Sequence, residues 1–330
     1  MFLSIFSAVE SGIIYAIMAL GVYLTFRVLD FPDLTVDGSF VTGAAVAAIS
    51  IVNGVNPFVA TALAAIAGFI AGCFTGLLHT KGKINPLLAG ILMMIALYSI
   101  NLRIMGQPNV SLINEPTVFR QIAGIWEALG IDNALNSFTQ MLGLAQAPRT
   151  WSILLLMIIV TLIIKFAADY FLKTEAGLAL RATGDNQKMI RSFSANTDSY
   201  IIIGLGLSNG LVALAGAFIA QLGGFADAGM GIGLIIIGLA SVIIGEALFG
   251  TKTIFRTTLA VIGGAIIYRI VVTLALRVDF LEAGDMRLIT AILVIAALVS
   301  PKLIEARKEK KRRRQKQLAR KGGGEHASSA

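Results

Sequence analysis

The sequence predicts an all-α fold: a polytopic membrane bundle of about nine spans with a broken second helix and a short cytoplasmic helix between spans five and six. Three observations predict it. Of 330 residues, 56% are hydrophobic and 14% charged, with a mean hydropathy of +0.82, whereas soluble domains average about 45–50% and about 25%. The apolar residues lie in long blocks rather than alternating, and only a helix satisfies its own backbone inside lipid. The polar residues are gathered instead, chiefly in the island "LRATGDNQKMIRSFSANTDSY" at 180–200 and in a basic tail.

The apolar segments run at about 3–25, 39–54, 57–78, 86–105, 151–171, 200–222, 231–250, 257–276 and 288–304. The first, "FLSIFSAVESGIIYAIMALGVYLTF", is too long for a signal-peptide core and lacks a basic n-region, so it reads as a span. The second is short and follows "DFPDLTVDGS", where Pro32, Gly38 and three aspartates interrupt the pattern. Irregular backbone at membrane depth must be buried in protein or line a cavity, which predicts a broken or re-entrant helix there. The transmembrane unit occupies 1–305, with a loop at 172–199, and 306–330 is a basic tail ending in the disordered-looking "GGGEHASSA".

The tail "RKEKKRRRQKQLARK" at 307–321 marks a cytoplasmic face in contact with anionic headgroups more simply than it marks a nucleic-acid partner. Alternation from the tail puts Arg27, Lys81, Lys83, Lys165, Lys173, Arg181, Lys188, Arg191, Lys252 and Arg256 inside. It puts Arg103, Arg120, Arg149, Arg277 and Arg287 outside, the asymmetry that membrane orientation follows. The N-terminus is therefore expected outside, the C-terminus inside, and the 180–200 island in the cytoplasm.

Within that island, Gly184-Asp185-Asn186 is a helix-start signal, because Asp or Asn accepts from the free N–H groups of a first turn. Met189, Ile190 and Phe193 then share one helical face, with Lys188 and Arg191 away from its centre. Two turns of amphipathic helix do not persist alone in water. The bilayer surface, the protein's own core or a partner's groove must cover it.

Some chemistries are disfavoured. One cysteine, Cys73, permits neither an internal disulfide nor a thiolate metal site, and two distant histidines, His79 and His326, make a histidine cluster improbable. "GLLHTKGK" at 76–83 has five residues between its glycines and Ile84 after the lysine, so it fails the phosphate-loop pattern. "GLSNG" at 206–210 formally fits a nucleophile elbow around Ser208. Gly206 and Gly210 are four apart, as are Gly68, Gly72 and Gly76, a spacing that lets membrane helices approach closely, and packing is the preferred reading.

Intramembrane ionisable residues face a cavity or a partner. Glu10 lies near the outer headgroups, and Lys165 is expected to snorkel to the cytoplasmic interface. Glu246 is read as pairing with a loop cation or bracing a gate. Arg269, two-thirds along the eighth span, either makes an internal salt bridge or carbonyl contact or meets a passing carboxylate. Asp33, Thr35, Asp37 and Ser39 either cap the second span or line a conduit.

"GLALRATGDNQKMIRSFSAN" at 177–196 resembles the cytoplasmic loop of permease subunits in the branched-chain amino acid and ribose family of ABC importers, with Gly177, Ala182, Gly184 and Asn186 in matching places. "DLTVDGSF" at 33–40 and "LASVIIGEALFG" at 239–250 are similar to that family's early and late motifs, in the same order. Asp37 is an extra residue, Met189 and Ile190 replace alanines, Ser194 and Glu246 replace glycines, and these departures imply a side branch.

The resemblance implies that Asp185, Asn186, Lys188, Met189, Ile190, Arg191 and Phe193 form a coupling helix seated on an ATPase. It implies a homodimer of permeases, two ATPase subunits carrying ATP and Mg, an external solute-binding protein, and no cofactor on this chain. The expected setting is the plasma membrane and the expected cargo an amino acid, partly aromatic or hydrophobic. Two rivals remain at this level: an ion-coupled secondary transporter, and an intramembrane serine protease acting through Ser208.

Overall fold

The computed structural model describes residues 2–128, 130, 132, 136, 148, 150–192, 196–276, 288, 291, 292 and 295. Phe193, most of the ninth expected span, His326 and the basic tail lie outside the described residues.

The regular elements of the described chain are helices apart from one short pair of strands. α1 (Phe2–Tyr23) continues into a single π-turn (Leu24–Val28), and α2 (Thr35–Val52), α3 (Pro57–Thr80) and α4 (Pro86–Met105) follow. β1 (Asn109–Ser111) and α5 (Val118–Ala128) precede α6 (Ser152–Phe171), α7 (Glu175–Ser192) and α8 (Thr197–Gly223). β2 (Phe225–Asp227), α9 (Leu234–Phe249) and α10 (Ile254–Ala275) complete the order. Among the described residues, seven helices are long and apolar enough to cross a membrane, and α9 is a shorter apolar helix.

Local chemistry sets the boundaries. Asn56 and Asn85 each accept from the N–H two residues on, and Pro57 and Pro86 occupy the first turns of α3 and α4, where no donor is lost. Asn196 caps α8 and Thr253 caps α10. α4 and α8 end at Gly106 and Gly224, both left-handed.

α8 is the central helix, packed by α3, α2, α1 and α7, while α10 packs on α9 and α1. Small residues make the α3–α8 seam. A methyl group on Gly76 would lie 2.7 Å from Ile202 Cα, and one on Gly68 or Gly72 would overlap Ala213 or Leu205. Gly206 faces Cys73 and Phe69 from the other side, so the four-residue glycine spacing is packing, as expected. Phe58, Ile66, Ile70 and Phe74 on α3, and Ile159, Ile163 and Phe166 on α6, point away from the protein, as a lipid-facing surface requires.

The second helix differs from expectation. It is continuous from Thr35, four residues earlier than its apolar block suggests, and the non-helical stretch precedes it at 29–34. Asp33 Oδ1 accepts the Thr35 N–H at 2.9 Å and so starts the helix before its apolar residues begin. β1 pairs antiparallel with β2, tying the chain after α4 to the chain after α8.

Candidate functional site

The polar island folds as two helical pieces. The first runs from Glu175, and the backbone leaves helical geometry at Asn186, whose φ and ψ are −153° and 87°. Asn186 Oδ1 then accepts from Met189 N at 3.0 Å and caps the second piece. The expected start signal therefore resolves into one residue: Asn186 caps, while Gly184 and Asp185 end the preceding helix, which periodicity had not revealed. Asp185, Lys188 and Met189 are exposed, and Ile190 is half-buried. Arg191 is held back toward the next span, donating to Thr197 Oγ1 at 2.9 Å and pairing with Asp198 at 3.0 Å.

The first piece is pinned to the end of the bundle. Leu180 is buried among Leu24, Val28, Leu29, Leu172 and Ile201. A methyl group on Gly184 would overlap Val28 O and lie 2.9 Å from Leu29 Cα; one on Gly177 would overlap Phe171 O. Only glycine admits these backbone approaches.

The contact falls on the π-turn. Its widened geometry shows in the Leu29 N–H bonding Leu24 O at 3.0 Å, five residues back. Such single turns mark functional sites more often than ordinary helix does. Arg27, inside the turn, ion-pairs with Glu246 in the last turn of α9, the cationic partner expected for Glu246. Two cavities meet there. One of 760 Å³ includes Tyr23, Arg27, Asp30, Arg181 and Asp185; one of 490 Å³ includes Tyr23, Arg27, Arg181, Glu246, Lys252 and Thr257. Arg27, Arg181 and Lys252, assigned to one side by charge, are thus gathered at one end.

Asp33, Thr35, Asp37 and Ser39 separate in role. Asp33 is fully buried and accepts from Asn209 Nδ2 at 2.6 Å besides capping α2. Thr35 Oγ1 meets Thr75 Oγ1 at 2.8 Å, joining α2 to α3. Asp37 does not cap its own helix: its two oxygens accept the N–H groups of Gly233 and Ile235, both at 2.8 Å, at the start of α9. Ser39 is buried, and its hydroxyl has no hydrogen-bond partner among the described residues, so it is not a cap either.

Arg269 lies toward the opposite end. Its guanidinium sits 4.7 Å from the centre of the Tyr15 ring and its Nε donates to Ser11 Oγ at 3.2 Å. Among the described residues it makes neither the salt bridge nor the carbonyl contact that were expected as its structural role. A cavity of 380 Å³ beside it is lined by Ser4, Ser7, Ser11 and Thr273 among others. At that end also, a cavity of 860 Å³ includes Thr117, Arg120, Glu127, Asp132 and Gln221.

Lys165 corrects an expectation. It does not snorkel: it is fully buried, its ammonium 2.6 Å from Asp169 Oδ2 and 3.1 Å from the centre of the Phe255 ring. The contact with Asp169 is one of charge without hydrogen-bond alignment, and Asp169 Oδ1 also accepts from Thr258 on α10 at 2.7 Å. With a carboxylate one turn ahead and an aromatic face above it, its charge is compensated without reaching water. The i,i+4 spacing was the signal in the sequence. Ser208 is likewise spent, donating to Gly21 O at 2.7 Å, while His79 Nδ1 lies against Ile84 O at 2.8 Å. Residues 76–80 are helical rather than a loop.

Comparison with known proteins adds relatives to this geometry. The profile of the family described as branched-chain amino acid transport system / permease component matches residues 4–298. The tyrosine transport system permease protein of Clostridioides difficile (strain R20291) is 42% identical over 300 residues, 91% of this chain and 92% of that one. An uncharacterised protein of Rickettsia prowazekii (strain Madrid E) is 34% identical over 306 residues, 90% of this chain and 97% of that one. The ribose import permease protein RbsC of Escherichia coli (strain K12) is 28% identical over 214 residues, 64% of this chain and 60% of that one. No solved structure matches.

Proposed function

The chain belongs to the permease-component family of branched-chain amino acid transport systems, and from that premise we propose that it forms the membrane path of an ATP-driven amino acid importer. The observation that carries the reading is the segment Glu175–Ser192, pinned to one end of the bundle by Gly177 and Gly184 while Asn186 turns a second piece outward with Met189 exposed. An apolar side chain displayed beside Lys188 suits the groove of a soluble partner. The partner is read as an ATPase, one per permease in a homodimeric pair, with ATP and Mg bound there. Asp185, Asn186, Lys188, Met189, Ile190, Arg191 and Phe193 form the docking segment.

In this reading the Arg27–Glu246 end faces the cytoplasm, and the 860 Å³ cavity at the other end receives an external solute-binding protein. Arg269, cushioned on Tyr15, meets cargo in passage; Thr35 and Asp37 serve the path by holding α2, α3 and α9 in place, and Asp33 by its bond to α8. The cargo is an aromatic amino acid, supported by the 42% identity to a permease named for tyrosine.

The test is uptake of tyrosine into vesicles carrying this chain, a partner ATPase and a binding protein. ATP-dependent accumulation is expected. Uptake that persists without ATP and collapses with an ion gradient would establish ion-coupled transport instead.

A further inference from the structure

The segment at 172–199 is joined covalently to α6 and α8, the obvious routes for a force applied to it. An equally close contact is made elsewhere, onto the end of α1. Gly184 rests on the Val28 carbonyl and on Leu29, and Leu180 shares a buried cluster with Leu24, Val28 and Leu29. A methyl group on Gly204 of α8 would lie 2.7 Å from the Leu180 side chain and closer still to that of Leu29, so three segments meet at this point. Val28 follows Arg27 directly. A displacement of Gly184 is therefore delivered one residue from the cation that holds Glu246.

The two sides of that ion pair are mounted differently. Arg27 sits in a single π-turn, a local departure from the α-helical register. Glu246 sits on α9, whose first turn is fixed to α2 by the paired bonds of Asp37. One partner is on a π-turn and the other on a helix bonded to α2. Tyr23, Arg27 and Arg181 line both cavities, and Glu246 lines the smaller one. A second cation, Arg181, rides on the moving segment itself.

We propose that Gly184 and the π-turn Leu24–Val28 are the positioning elements through which the docking segment opens and closes the Arg27–Glu246 pair, making that pair the inner latch of the path. The proposal rests on the importer reading above and specifies which contact carries the motion: a non-covalent one onto α1. Packed elements with two discrete arrangements transmit such couplings.

The experiment uses the full importer in vesicles, with a cysteine introduced at Thr251, beside Glu246 in the 490 Å³ cavity, on a Cys73→Ser background. Alkylation of that cysteine by a water-soluble maleimide is measured with and without a non-hydrolysable ATP analogue. In the parent the analogue changes the rate by about tenfold, a typical coupling between sites. Gly184→Ala reduces that response below about twofold, and so does Glu246→Gln. The double variant responds no less than the weaker single, as expected for two steps of one pathway. Exchange of the charges, Arg27→Glu with Glu246→Arg, restores the response.

A full response in Gly184→Ala that is recovered intact overturns the proposal, as does independent addition of the two single effects. Failure of the parent importer to hydrolyse ATP and accumulate tyrosine would instead remove the importer reading beneath it.

Discussion

Asp37 offers the most direct test of how the helices are held. Replacing it with alanine removes two charge-assisted bonds, to Gly233 N and Ile235 N, each 2.8 Å long. Such bonds contribute about 1.5–3 kcal/mol each, and the half-buried setting argues for the low end, giving about 3 kcal/mol in all. At about 2 °C per kcal/mol for a chain of this size, the melting temperature in detergent should fall by about 6 °C. Asp37→Asn keeps one acceptor and should lose about half as much. Fluorescence-detected size exclusion after heating reads the shift, and hydrogen exchange at Gly233 and Ile235 should quicken in parallel. An Asp37→Ala protein melting within about 1 °C of the parent would refute the idea that this carboxylate starts α9.

Three other outcomes are expected. Lys165→Met should destabilise by about 3 kcal/mol or more, because Asp169 is left charged and buried, whereas Lys165→Met with Asp169→Asn should recover most of that loss in the same melting assay. Ser208→Ala should cost about 1 kcal/mol for one lost bond to Gly21 O and leave more than half of tyrosine uptake, the reverse of what a nucleophile would show. Met189→Asp or Phe193→Asp should weaken pull-down of the partner ATPase by about tenfold or more while the protein still reaches the membrane; undiminished pull-down would reject the docking segment.

Much of the fold was legible because lipid imposes a single rule. Blocks of about 20 apolar residues become helices for want of any other way to satisfy the backbone, and α1 to α4, α6, α8 and α10 follow from length alone. The glycine rows of α3 and the Asn186 cap were legible too, since each depends on spacing within one element. What escaped reading depends on a second element. Asp37 looked like a cap for its own helix, and only packing of α2 beside α9 brings its oxygens to Gly233 and Ile235. The π-turn has no pattern of its own, since one extra residue in a turn leaves the apolar block unbroken. α5 was missed because its eleven residues are mixed in polarity and too short to read as a span. Lys165 was misjudged because snorkelling was weighed without the face of Phe255, which arrives from α10.

The pairing of Lys165 with Asp169 has a consequence for how the protein is made. The two charges belong to the same helix, one turn apart, so they can neutralise each other as soon as that helix forms. A nascent α6 leaving the translocation machinery then presents the bilayer with a compact dipole rather than two bare ions, and its insertion need not wait for the synthesis of α10. Thr258 and Phe255 arrive afterwards, sealing a charge pair that was already tolerable in oil.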